Sequence, residues 1–97
     1  MKVLVKNVLK TTQLKPSYPY HTWIEYWEDN GGETLEQGVN YECPACGRAF
    51  KREEFDGCHV QKILDAFKRI YIIPLCSGCN HRSEQFGVDE SLLIPVS

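Results

Sequence analysis

The sequence predicts a small zinc-stabilised α+β domain, and three observations carry that prediction. Two C-x-x-C pairs, Cys43 with Cys46 and Cys76 with Cys79, supply four thiols at the spacing of one tetrahedral site. Val-rich and β-branched runs over residues 2–9 and 69–73 read as strands. Trp23, Tyr26 and Trp27 recur at i, i+3, i+4, the spacing of one helical face. At 97 residues the chain has room for one domain with a thin core.

The cysteine pairs come first because the rest of the chain is organised around them. Two cysteines three apart face one ion only if the backbone turns tightly between them. Pro44 and Gly47 suit that turn in the first pair, and Gly78 suits it in the second. The competing reading is two disulfides in a secreted protein. It leaves Cys58 over, and the opening Met1-Lys2-Val3-Leu4-Val5-Lys6 is broken by lysines too early for an export signal. Cys43, Cys46, Cys76 and Cys79 are therefore expected to hold one structural Zn²⁺, and the reduced thiols point to the cytoplasm. Such a site adds on the order of 10 kcal/mol to folding, more than the net stability of many small domains.

Taken in order, residues 2–9 form the first expected strand, and Pro16 and Pro19 oppose a helix before Tyr20. Thr22, with Glu25 three residues on, fits a capping box for a short Trp-rich helix that the Gly31-Gly32 pair ends. Its aromatic face, with His21, reads either as a base-stacking surface or as the lid of the core, and the lid is preferred because large rings bury most area. Residues 31–40 are polar and acidic and read as a mobile linker. Residues 43–47 form a zinc knuckle. Asp56-Gly57 marks a tight turn, and residues 58–60 begin a strand, while residues 61–68 suit either a helical face or a loop. Pro74 stops the strand at 69–73, residues 76–86 read as a helix closed by Gly87, and residues 92–96 form a last strand pairing with 2–9. The chain thus divides into residues 1–42, 43–86 and 87–97 of one domain.

Charge is uneven along the chain. Residues 1–15 carry four lysines and no acids, residues 16–42 six acids and no Lys or Arg, and residues 43–82 seven bases against four acids. Four thiolates around Zn²⁺ leave the zinc half near +1, so charge by itself does not support avid phosphate binding. No apolar run approaches membrane-spanning length, so no membrane partner is expected.

Knuckle, hairpin and a helix opening on the second C-x-x-C follow the order of a treble-clef finger. Gly57-Cys58-His59-Val60 and Ile73-Pro74-Leu75-Cys76-Ser77-Gly78-Cys79-Asn80 make the chain resemble, over residues 43–86, the zinc-ribboned branch of the HNH endonuclease superfamily with its ββα-metal site. The resemblance implies a general base at His59 and a ligand for a second divalent metal at Asn80. It also implies an acid where Cys58 stands and an orienting Asn where Tyr71 stands, so the active-site pattern is degenerate. A thiol suits a hard cation poorly, and Asp56 lies two positions away along the strand.

Other readings compete at each of these residues. His59 could be a neutral core histidine, and His81 a solvent-facing residue rather than a substitute ligand. A Cys58–His59 nucleophile pair would need a bulge, because strand neighbours point to opposite faces. Lys62, Lys68, Arg69 and Arg82 could rim a phosphate site or form a solvated surface. The expected function is an HNH-like zinc domain related to nucleic acid, DNA or RNA, with weak or no nuclease activity. The alternatives are an active divalent-metal-dependent endonuclease using His59, and a structural or protein-binding zinc finger.

Overall fold

In a computed structural model, which describes residues 1–8 and 14–96, the chain forms a five-stranded and a two-stranded antiparallel sheet with one full helix. Leu9, the end of the first expected strand, lies outside the described residues. The strands are β1 (Lys2–Asn7), β2 (Asn40–Glu42), β3 (Ala49–Lys51), β4 (Phe55–Lys62), β5 (Tyr71–Cys76), β6 (Phe86–Asp89) and β7 (Ile94–Pro95). The large sheet has the order β6-β1-β4-β5-β7, and β2 pairs with β3. Helix α1 spans Trp23–Asp29, and α2 is the single turn Ser77–Asn80.

Helix α1 forms as its sequence dictates. The Glu25 N–H donates to Thr22 Oγ1 at 3.2 Å and the Thr22 N–H to Glu25 Oε1 at 3.0 Å, closing the capping box. Asn30 ends the helix, its Nδ2 donating to the Tyr26 carbonyl at 2.8 Å. Ile24, Tyr26 and Trp27 are buried against the sheet. Trp27 is 1% exposed and donates its Nε1–H to the Leu92 carbonyl at 2.7 Å. Burying a ring of that size is worth on the order of 5 kcal/mol. The core beneath is aliphatic: Val5, Val60, Ile72, Ile73, Leu75 and Val88 are fully buried.

The structure departs from the sequence expectations in five places. Residues 31–40 are largely exposed but anchored at their middle: Leu35 is buried, its N–H donates to Glu28 Oε2 at 2.7 Å, and the Glu36 N–H donates to the Tyr41 hydroxyl at 2.7 Å. Glu28 also takes both a 3.2 Å Nε bond and a 2.8 Å Nη2 bond from Arg52, which draws the acidic stretch onto the cysteine-bearing half. Asp56 and Gly57 lie inside β4 opposite Leu75 and Pro74, so they make no turn, and β5 runs through Pro74 to Cys76. The helix expected over 76–86 is one turn. His81 and Arg82 N–H groups donate to carbonyls three residues back, tightening the chain out of the α-helix, and Phe86–Asp89 alternates buried and half-buried residues as a strand beside β1. The last strand pairs with β5 through Tyr71–Pro95 and Ile72–Ile94, not with β1, whose free edge β6 has taken.

Candidate metal centre and the cleft beside it

The first C-x-x-C sits in the loop of the β2–β3 hairpin. The Cys43 N–H donates to the Arg48 carbonyl at 2.8 Å and the Gly47 N–H to the Cys43 carbonyl at 2.8 Å. Gly47 sits at φ +77°, where a side chain is disfavoured, so glycine there lets the chain fold Cys46 back towards Cys43. The second pair begins on the last residue of β5 and ends in α2, so the β4–β5 ladder fixes it in place. The side chain of Asn7, on β1, donates to both the Cys79 and Arg82 carbonyls at 2.9 Å, holding this turn against the sheet.

These elements bring the four cysteine sulfurs within 4.8 Å of one another, a group that could hold one metal ion. Cys46 and Cys76 Sγ stand 3.9 Å apart. Tetrahedral metal–sulfur bonds of about 2.3 Å imply sulfur–sulfur separations of about 3.8 Å, so the donor set fits. Cys43, Cys76 and Cys79 are buried, and Cys46 reaches the surface. Backbone N–H groups point at two of the sulfurs. The Arg48 N–H holds the Cys46 thiol down to about 7, and the Cys76 N–H donates to Cys43 Sγ at 3.5 Å. Burial and then the neighbouring Cys76 push Cys79 up to about 12. Arg82 offsets this by donating from its guanidinium to the Cys79 sulfur, while its plane lies 5.3 Å from the Phe86 ring. The sequence leaves Arg82 between a phosphate rim and a solvated surface; in the structure its guanidinium is shared between the Cys79 sulfur and Glu84 Oε1, the latter 3.2 Å from Nε.

Cys58 stands apart from this group. It is 2% exposed, its thiol donates to the Asp56 carbonyl at 3.3 Å, and burial pushes its pKa up. Cys58→Ser is expected to keep full metal content in elemental analysis, at a cost of about 1 kcal/mol in chemical denaturation. Loss of metal from that variant would show the ligand set to be different.

His59 occupies the next position on β4 and faces α1. It is 6% exposed, and its ring meets the Trp23 ring edge-on at 4.7 Å. Its Nε2 is buried with no hydrogen-bond partner, and burial holds the imidazole below its ordinary pKa and so neutral. The Trp23 Nε1–H donates to the Leu14 carbonyl at 3.2 Å, which anchors the ring in place. Opposite His59 on β5 stands Ile72; Tyr71 pairs with Val60, and strand alternation turns it to the other face. Asn80 emerges from α2 and donates Nδ2 to Asp56 Oδ2 at 3.3 Å, so the carboxylate two residues before Cys58 does reach it. His81 is exposed, its Nδ1 2.7 Å from the Ser77 carbonyl.

A cleft of about 650 Å³ passes these groups, lined among others by Lys15, His21, Trp23, Asp56, His59 and Asn80. Among the described residues, no second group of three His, Cys, Asp or Glu side chains comes together as the four cysteines do. No helix among them is long and apolar enough to cross a membrane. Comparison of the chain with family models, with curated proteins and with solved structures finds no match.

Proposed function

We propose that this chain is a structural-zinc domain of HNH-like, treble-clef type that engages nucleic acid with weak or no nuclease activity. The observation that carries the reading is His59. It stands where the general base belongs, but its free nitrogen is sealed and unpartnered beneath Trp23. A general base must lie within about 3 Å of the water it activates, and a buried nitrogen has no such water to reach. Cys58, in the acid's place, spends its thiol on a backbone carbonyl. A hard divalent cation at His59 and Asn80 thus loses its carboxylate, and disturbed outer-shell orientation alone costs about 10–100-fold in metal affinity or activity.

The Asp56–Asn80 contact favours the second reading, an active endonuclease. It puts an oxygen ligand beside the last-ligand position, and Asp56, His59 and Asn80 line one cleft. The two readings separate in one experiment. Zinc-loaded protein is incubated with supercoiled plasmid and with single-stranded DNA and RNA, adding Mg²⁺, Mn²⁺, Ni²⁺ or Zn²⁺ in turn, alongside His59→Ala and Trp23→Ala. Background cleavage by all three is expected. Robust nicking by the native chain that disappears in His59→Ala at unchanged zinc content would establish the endonuclease. Neither cleavage nor retention of any nucleic acid would leave the third reading, a protein-binding or purely structural finger.

A further inference from the structure

The loop between β4 and β5 is the most apolar exposed feature of the described chain. Leu64 is 95% and Phe67 81% exposed, and Leu4, whose carbonyl accepts the Ile63 N–H at 3.0 Å, is 55% exposed beside them. These side chains cost solvation free energy and contribute nothing to the core.

The loop is nevertheless tightly built. Asp65, whose side chain is 7% exposed, accepts the Phe67 N–H at 2.9 Å on one oxygen and the Arg69 N–H at 3.2 Å on the other. The Gln61 side chain donates to the Lys68 carbonyl at 2.9 Å, and Lys68 is held at φ +53°, a left-handed conformation that costs about 1 kcal/mol in a non-glycine residue. The backbone is thus fixed in a form that points Leu64 and Phe67 outward. The Arg69 guanidinium lies 5.4 Å from the Phe67 ring and stacks against one side of it.

Charge decides what such a tip meets. Asp65 is spent inward on backbone N–H groups and on Arg69, and Lys62 is paired with Glu90 at 2.7 Å, which leaves Lys68 as the cation beside the apolar pair that no acid balances. The acids of residues 16–42 belong to α1, the loop after it and the end of β2, and α1 packs against the start of β4, where Trp23 meets Gly57. The tip therefore carries a small excess of positive charge beside one exposed ring, while the acids of α1 lie towards the other end of the β4–β5 hairpin. An anionic partner with flat apolar faces fits the cationic end, and unpaired nucleotides combine both properties.

We infer that the β4–β5 tip is a stacking wedge for single-stranded nucleic acid: Phe67, backed by Arg69, packs on an unpaired base, Leu64 lies beside it, and Lys68 contacts phosphate. This rests on the nucleic-acid reading above and names the surface that it uses, distinct from the His59 cleft. Zinc-loaded full-length chain is titrated into fluorescein-labelled oligothymidylate at several salt concentrations and followed by anisotropy, with Phe67→Ser, Phe67→Trp and Lys68→Gln in parallel. Both side chains are exposed, so zinc content and near-UV circular dichroism are expected to be unchanged in all three. Phe67→Ser is expected to weaken binding roughly tenfold, and Phe67→Trp to preserve it. Lys68→Gln is expected to lower the slope of log affinity against log salt by about 0.7. Native binding that Phe67→Ser leaves untouched would overturn the wedge while leaving the nucleic-acid reading standing. No binding by the native chain even at low salt would overturn both. Self-association in sedimentation velocity that Phe67→Ser abolishes, with no oligonucleotide bound, would instead assign the tip to the acidic apolar groove of a second copy, lined by Trp27, Glu33, Leu35 and Glu42.

Discussion

Treating the native protein with a metal chelator at neutral pH is expected to abolish its near-UV circular dichroism and its cooperative unfolding transition. The thiol group joins two short segments, the β2–β3 knuckle and the α2 turn that Asn7 holds against the sheet. The β2–β3 knuckle has strands of three residues each, and α2 is a single turn, far below the length at which a helix stands alone. One of the four ligands ends β5 opposite Phe55, so releasing it frays the β4–β5 ladder from the same end on which α1 rests. A structural zinc of this kind contributes on the order of 10 kcal/mol, against a net stability of about 5–10 kcal/mol for a domain of this size. Cys76→Ser is expected to reproduce the chelated state, because a serine hydroxyl is a poor ligand and leaves three crowded thiols behind. Elemental analysis giving about one zinc per chain is the matching expectation for the native protein. A metal-free preparation with native near-UV spectrum would refute the assignment.

The thiol group was legible in the sequence because ligand spacing is a local property: two residues between cysteines, with Pro44, Gly47 and Gly78 to turn the chain. Helix α1 was legible for the same reason, since Thr22 and Glu25 make its cap within three residues. The misreadings arose where the deciding partner is distant. Residues 31–40 look like a linker by composition, but Glu28 and Tyr41 bind their backbone and Leu35 enters the core. Residues 76–86 begin as a helix because the second thiol pair needs one turn; the claim of β1 on Phe86 and Val88 then overrides it. Asp56-Gly57 carries a turn signal, and in the structure the glycine serves a close approach of helix to strand instead. The covering of His59 by Trp23 left no trace in sequence, because 36 residues separate the two rings.

That close approach gives the second large effect. Gly57→Ala is expected to destabilise the protein by about 3 kcal/mol or more, a fall in melting temperature of about 15 °C. A methyl group at Gly57 would lie 2.4 Å from Trp23 Cβ, 2.7 Å from the Trp23 carbonyl carbon and 2.8 Å from the Ile24 nitrogen. Two of these are backbone atoms, so no rotamer change relieves the clash and α1 has to lift from β4. Lifting α1 carries Trp23 off His59, and the histidine supplies an independent readout. In the native fold, burial holds the His59 pKa below its unfolded value of about 6.5, so the unfolded chain binds the proton more readily. This contribution to stability is present above about pH 6.5 and is lost as pH falls towards and through the lower folded-state value. In Gly57→Ala the ring is hydrated, its pKa returns towards the ordinary value, and the loss of stability on acidification becomes shallower. Denaturation midpoints measured from neutral to acidic pH, together with the His59 ring resonance titrated by NMR, test both parts. A Gly57→Ala protein with native midpoint and an unmoved His59 titration would show that α1 does not sit on β4 as closely as the 2.4 Å approach requires.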